Sequence, residues 1–147
     1  MRKILLASLL ALAACGKGGA PDVQVSDAWA RATAPGQGSA AAYMTIANRG
    51  SSEDRLVAVS APPRAMAMVH ETSSAGGVTS MQAMDKGIKL APGEAVALKP
   101  LGTHVMITGL THALKPGDTL PLTLRFESSG ERRVDVRVVD PTSVDGH

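Results

Sequence analysis

Two histidines and two methionines between residues 70 and 106 are the side chains of this chain best suited to chemistry. Met81 follows His70 by eleven positions, and a His-Val-Met segment, His104 to Met106, begins twenty-three positions after Met81. In a strand, side chains two positions apart leave the same face, so His104 and Met106 would point the same way. Imidazole binds many transition metals, whereas the soft thioether sulfur favours Cu(I) over hard cations. The pattern therefore indicates a copper site built from His and Met ligands.

The same residues could instead serve only packing and hydrogen bonding. Methionine fills irregular gaps in apolar cores, and a buried polar ring is normally satisfied by a hydrogen bond. Met66 and Met68 share the strand face of His70, and we place them in the core or at its rim, with an auxiliary ligand role left open. Glu71 either orients an imidazole or is a solvated surface carboxylate, and the second interpretation is slightly favoured.

The N-terminus has the composition of a secretory signal peptide. Arg2 and Lys3 precede a predominantly apolar run over residues 4–14, which is too short to span a bilayer as a helix. The run ends in Leu12-Ala13-Ala14-Cys15, which is similar to the lipobox of bacterial lipoproteins. We therefore expect a lipid on Cys15 and a protein anchored in the cell envelope, facing the periplasm. The alternative is an ordinary signal peptide with a chance cysteine.

Cysteine count and charge exclude several classes of function. Cys15 is the only cysteine, so its lipidation would leave no thiol for a disulfide, a catalytic nucleophile or a thiolate copper site. Loss of Arg2 and Lys3 with the signal peptide removes two of the 15 basic residues, which then equal the 13 acidic ones. Nothing in this balance suggests the basic patch of a nucleic-acid-binding protein.

The rest of the sequence has the pattern of a β protein. Hydrophobic residues make up 44% of the chain, but Trp29, Tyr43 and Phe126 are its only aromatic residues, so the core must be mostly aliphatic. Short period-two runs alternate with turn residues, which predicts eight or nine strands, no helix in the mature chain, and an antiparallel Greek-key β-sandwich. Pro121 lacks an N–H and should lie where its strand is unpaired or faces outward.

The length of 147 residues fits one domain. The predicted organisation is a signal peptide over residues 1–14, a lipidated cysteine and flexible tether over 15–22, a β-sandwich domain over 23–140, and a short tail over 141–147.

Taken together, three groups of motifs resemble the periplasmic copper chaperone family written PCu(A)C, over residues 23–139. They are Asp27-Ala28-Trp29-Ala30-Arg31 with Ala42-Tyr43-Met44-Thr45-Ile46; His70-Glu71-Thr72 with Gly77-Val78 and Met81; and His104-Val105-Met106 with Gly109-Leu110 and Lys115-Pro116-Gly117-Asp118. No single piece is specific, but the full set is.

The resemblance implies a cupredoxin-like sandwich that binds Cu(I) through His70, Met81, His104 and Met106. It further implies a monomer that delivers the ion to the copper centre of a haem-copper cytochrome c oxidase, with an oxidase subunit or another copper chaperone as its partner. The chain departs from many members at its C-terminus, where residues 140–147 contain only His147 in place of a His/Met-rich tail. The resemblance therefore gives no basis for a second, Cu(II) ion in this chain.

Two other functions stay open at this point. The protein could scavenge or store copper, or it could be a metal-free structural or interaction lipoprotein in which the His and Met residues only pack. An enzyme or electron-transfer protein is disfavoured, because the mature chain has no thiolate and the sequence shows no nucleophile–base pair.

Overall fold

The chain folds as an all-β domain, and a computed structural model describes residues 18–143. The expected signal peptide, Cys15 and His147 lie outside these residues. The strands are β1 (Val23–Arg31), β2 (Ser39–Asn48), β3 (Asp54–Ser60), β4 (Met66–Ala75), β5 (Val78–Ala83), β6 (Ile88–Leu90), β7 (Ala95–Leu98), β8 (Thr103–Thr108), β9 (Thr119–Phe126) and β10 (Gly130–Val139). A short 3-10 turn, Pro141–Ser143, follows. The predicted all-β class is confirmed, with ten strands rather than eight or nine.

The ten strands form one hydrogen-bonded sheet that closes on itself. Its order is β5-β4-β8-β2-β1-β10-β9-β3-β6, β7 pairs with the second half of β2, and β4 also pairs with β3. All pairs are antiparallel except β1 with β10, which run parallel. The strands from β4 through β8, β2, β1, β10 and β9 to β3 therefore surround a single core.

Period-two alternation supplies that core. Along β9 the side chains of Leu120, Leu122, Leu124 and Phe126 are buried, and β8 contributes Val105 and Ile107. Phe126 is the only aromatic residue in this cluster, as the aliphatic composition predicts. Within residues 18–143, no helix is long and apolar enough to cross a membrane.

Pro121 lies where its missing N–H is tolerated. It pairs with Asp135 of β10, but the ladder between β9 and β3 ends at Thr123 and Ser60. The position is therefore beyond the reach of β3, as expected for a proline in a strand.

The described part of the expected tether is hydrogen-bonded to the domain. The backbone N–H of Asp22 donates to Oδ1 of Asn48 at 3.2 Å, the Asp22 carbonyl accepts from Arg49 N–H at 2.8 Å, and the Ser52 hydroxyl donates to the Gly19 carbonyl. The polar composition of this segment predicts flexibility, but its backbone groups find partners on the turn after β2.

Candidate metal centre

His70 of β4 and His104 of β8 lie directly opposite each other in the antiparallel ladder. The preceding residue of β4, Val69, is opposite Val105, and both valines are buried in the core. Because side chains alternate along a strand, the two imidazoles must leave the other face of the sheet. The ring centroids are 6.0 Å apart, with an edge-on angle of 67°.

This separation suits two imidazoles that share one ion. Metal–nitrogen bonds in proteins are about 2.0–2.1 Å, so a ligating ring has its centroid roughly 3 Å from the metal. Two such rings then have centroids up to roughly 6 Å apart. The observed 6.0 Å between the two centroids lies at the upper end of that range.

His104 is almost fully buried, at 5% exposure, and its tautomer is set by the turn that precedes β8. Its Nδ1 lies 3.0 Å from the carbonyl oxygen of Gly102. A carbonyl can only accept, so in the neutral ring Nδ1 carries the hydrogen and donates it. The lone pair of Nε2 is left free, which is the arrangement that orients metal-ligating histidines in proteins.

His70 contains an unusual feature for a structural histidine. Its Nδ1 is buried and has no hydrogen-bond partner; in the described residues the other such side-chain atom is the Ser129 hydroxyl oxygen. Buried polar atoms are nearly always satisfied, because an unpaired one costs about 1–3 kcal/mol. A bound metal ion would satisfy the lone pair of Nδ1, so the residue fits a ligand better than a packing role.

The predicted thioethers lie on the same outer face as the imidazoles. Met106 follows His104 by two residues and stands opposite Met68 of β4. Met81 of β5 stands opposite Thr72, two residues from His70 on one face of β4. Its diagonal relation to His70 corresponds to about 7–8 Å between backbones, within reach of a long side chain. The fold thus brings three of the four predicted ligands onto adjacent ladder positions, with Met81 approaching from the edge strand.

The profile of a family described as "Putative lipoprotein LpqE-like" matches residues 23–138, nearly all of the β domain. The chain belongs to this family. It is 34% identical over 121 residues to "Putative lipoprotein Lxx21020" of Leifsonia xyli subsp. xyli (strain CTCB07), an alignment that covers 82% of this chain and 72% of that protein. It is 28% identical over 115 residues to "Uncharacterized protein RP573" of Rickettsia prowazekii (strain Madrid E), covering 76% and 64%.

Solved structures place this LpqE-like domain among PCuAC domains and confirm the predicted family and cupredoxin-like fold. A copper-bound PCuAC domain from PmoF2 superposes with a TM-score of 0.67 at 26% identity, over 81% of this chain and 93% of that one. An apo PCuAC domain from PmoF1 gives 0.67 at 29%, over 81% and 94%. The solution structure of CuI-DR1885 from Deinococcus radiodurans gives 0.65 at 27%, over 86% and 84%.

The other side chains considered as possible ligands are exposed at the surface of the LpqE-like domain. Glu71 alternates with His70, so it leaves the opposite face of β4 and is exposed, which supports its interpretation as a surface carboxylate. Met66 and Met68 are 67% and 47% exposed and hence lie outside the core. In the described residues no three His, Cys, Asp or Glu side chains converge on one possible metal position. His112 is exposed and contacts the Thr111 hydroxyl at 2.8 Å.

The Tyr43 ring lies beside His104 and the Trp29 ring beside Tyr43, and the pattern of candidate ligands did not predict them. The Tyr43 ring lies 6.4 Å from the His104 ring and 4.5 Å from Trp29, centroid to centroid. Tyr43 is only 8% exposed. Burial raises the pKa of its hydroxyl, an effect that the nearby Arg31 charge partly opposes, so the group is neutral at physiological pH. Trp29 and Tyr43 both occur in the motifs that carry the family resemblance, and those motifs are the part of the sequence from which their place near the site could have been predicted.

Proposed function

We propose that this protein is a periplasmic chaperone that binds Cu(I) through His70, His104, Met106 and Met81 and passes it to a copper-accepting protein. The observation that carries this proposal is the unpartnered Nδ1 of His70, held 6.0 Å ring to ring from His104 with thioethers on the same face. Copper-bound PCuAC structures of similar fold support the choice of metal.

The ligand types explain both the selectivity and the release of the ion. Thioether sulfur is soft and favours Cu(I), whereas Zn(II) has no such preference for it. All four ligands are neutral, so they leave the charge of Cu(I) uncompensated and bind it more exchangeably than thiolates would. Such a site suits an ion that the protein must pass on by ligand exchange.

The family resemblance supports the copper centre of a haem-copper cytochrome c oxidase as the acceptor. The exposure of Met81, at 51%, leaves one side of the site open to a partner. A lipid on Cys15 would hold the domain at the membrane surface, near such an oxidase. Storage or scavenging of copper uses the same ligands but requires no transfer, which makes transfer the discriminating measurement. In this role the chain carries the ion and performs no catalytic step.

Metal selectivity tests the site directly. The mature chain, with Cys15→Ser to keep it soluble, should bind one Cu(I) far more tightly than Zn(II) in chelator competition under reducing conditions. Comparable affinities for the two ions would contradict a thioether-containing site.

Transfer tests the chaperone role. Copper-loaded protein mixed with the apo soluble copper domain of an oxidase subunit should lose its Cu(I) to that domain. Retention of the ion, with an affinity above that of the acceptor, would instead indicate storage.

Anchoring has its own test. Mass spectrometry of the mature protein should find a lipid on Cys15, and Cys15→Ser should release or mislocalise the protein. An unmodified Cys15 would remove the anchor from the proposal while leaving the metal site intact.

A further inference from the structure

Met68 is a methionine in an unusual position for packing. It lies on the outer face of β4, two residues before His70, and is 47% exposed. An exposed strand position gains little from an apolar side chain, because burial in the core supplies most of the benefit of methionine. Packing therefore does not explain Met68, and its half-exposed side chain carries a sulfur that can bind a soft metal ion.

The ladder between β4 and β8 places a second thioether beside it. Met68 is the direct cross-strand partner of Met106, and the next pair on this face is His70 with His104. Directly opposite residues have their Cβ atoms about 4.5–5.5 Å apart. A metal–sulfur bond is about 2.3 Å, so two flexible thioethers at this spacing can close on one soft ion. The thioether pair, Met68 and Met106, and the imidazole pair, His70 and His104, are thus neighbouring pairs on one face of the β4–β8 ladder.

We propose that Met68 and Met106 form an outer position for Cu(I), to which the ion moves from the two imidazoles before it leaves the protein. This inference rests on the proposed function, since it concerns the same cargo. Met106 stays bound throughout, while the Met68 sulfur replaces an imidazole nitrogen. The step is a ligand exchange in which copper remains Cu(I) and no proton or electron is transferred.

An outer position changes rates more than equilibrium affinity. Ligand exchange that keeps one bond at every stage avoids release of a bare ion, so it should speed departure to an acceptor. Met68→Leu conserves volume, so the fold should survive. Because the four main ligands are intact in this variant, its Cu(I) affinity should stay within a few-fold of the wild type. The same variant should slow transfer to a competing chelator several-fold.

Met66 provides a matched control. It lies on the same face of β4, is 67% exposed, and stands opposite Thr108, which has no sulfur. Met66→Leu should therefore change neither the affinity nor the transfer rate. Slowing by Met66→Leu as large as that by Met68→Leu would overturn the pairing with Met106.

Methyl NMR gives a direct readout. The mature chain with Cys15→Ser, labelled with ¹³C at the methionine methyl groups, is titrated with Cu(I) under reducing conditions. The methyl signals of Met106, Met81 and Met68 should shift, while that of Met44, which is 2% exposed in the core, should stay in place. Shifts at Met81 and Met106 with Met68 unmoved would refute the outer position and leave the proposed function standing. If no methionine methyl moves, the thioether site itself is refuted.

Discussion

Two clusters of buried polar side chains in this molecule are built on opposite principles. Near the end of β2, Asn48 accepts hydrogen bonds from Asp22 N–H and Gly50 N–H and donates to the carbonyls of Ser52 and Leu90. Asp54 accepts from the backbone N–H groups of Arg55, Ser128 and Ser129 at 2.8–2.9 Å. At the other cluster, formed by His70 and His104, one ring nitrogen is buried without a partner.

The difference separates stability from function. A buried polar group whose hydrogen bonds are complete stabilises a unique arrangement, and its removal leaves its former partners unsatisfied. A buried imidazole nitrogen left without a partner costs free energy, and a bound metal ion would complete it. Asn48 and Asp54 are therefore assigned to stability, and the histidine pair is the cluster to which we assign the proposed function.

The largest expected effect is on folding. Asp54→Ala removes the acceptor of three backbone N–H groups in a residue that is 2% exposed, so we expect a loss of about 2–4 kcal/mol in the free energy of unfolding. Cu(I) affinity of the folded fraction should be unchanged. Chemical denaturation and chelator competition measure the two quantities. A loss of copper affinity with intact stability would reverse the assignment of the clusters.

The complementary change is His70→Leu. Even mutation of an outer-sphere partner of a metal site typically costs 10–100-fold in affinity, so loss of a ligand should cost at least about 100-fold. The apo protein should be as stable as the wild type or more so, because the variant removes an unsatisfied buried nitrogen.

His112 is the control for this change, because it is exposed and outside the ladder. His112→Leu should leave copper affinity untouched. Strong destabilisation of the apo protein by His70→Leu would show that the imidazole is structural after all.

Met81→Leu should also lower Cu(I) affinity, but by less than His70→Leu. Leu and Met have similar volumes, and a volume-conserving swap costs less than about 1.5 kcal/mol even in a core. Met81 is half exposed, so the fold should survive while Cu(I) affinity drops by an order of magnitude or more.

Met84→Leu is its matched control. Met84 packs partly against the core, and its backbone N–H donates to the Val69 carbonyl at 2.8 Å. This variant should be nearly silent for copper. Equal affinities of Met81→Leu and wild type would remove Met81 from the site.

The smallest expected effect is a dependence of apo stability on pH. Burial tends to raise the pKa of Asp54, but the hydrogen bonds it accepts at Ser129, Ser128 and Arg55 outweigh burial and lower that pKa below its ordinary value. The native state therefore binds fewer protons than the unfolded one, and the stabilisation is complete above about pH 4, the unfolded value. It is lost as pH falls through the lower folded pKa.

This effect should be smaller than that of Asp54→Ala, because protonation keeps the side chain in place. Thermal unfolding of the apo protein between pH 6 and pH 3 measures it. The non-titrating variant Asp54→Asn should show a shallower decline over the acid part of that range. Identical profiles would show that other carboxylates dominate the acid sensitivity.

Sequence by itself determined the class of fold and proposed four candidate ligands. Strict alternation in segments such as β9 specifies strands, since one face must be apolar to build the core. The spacing of His104 and Met106 already places both on one face of a strand. The motif resemblance named His70 and Met81, which spacing alone could not connect to that pair.

Only the tertiary structure decided which strands are neighbours. The register of β4 against β8 sets His70 opposite His104 and Met68 opposite Met106, and a shift by one residue would move one set to the core face. Long-range pairing of this kind depends on how the whole sheet closes, through β3 and β4 among others, and no local pattern encodes it. For the same reason the orphaned nitrogen of His70, the Gly102 carbonyl beside His104 and the parallel pairing of β1 with β10 became visible only in the folded chain.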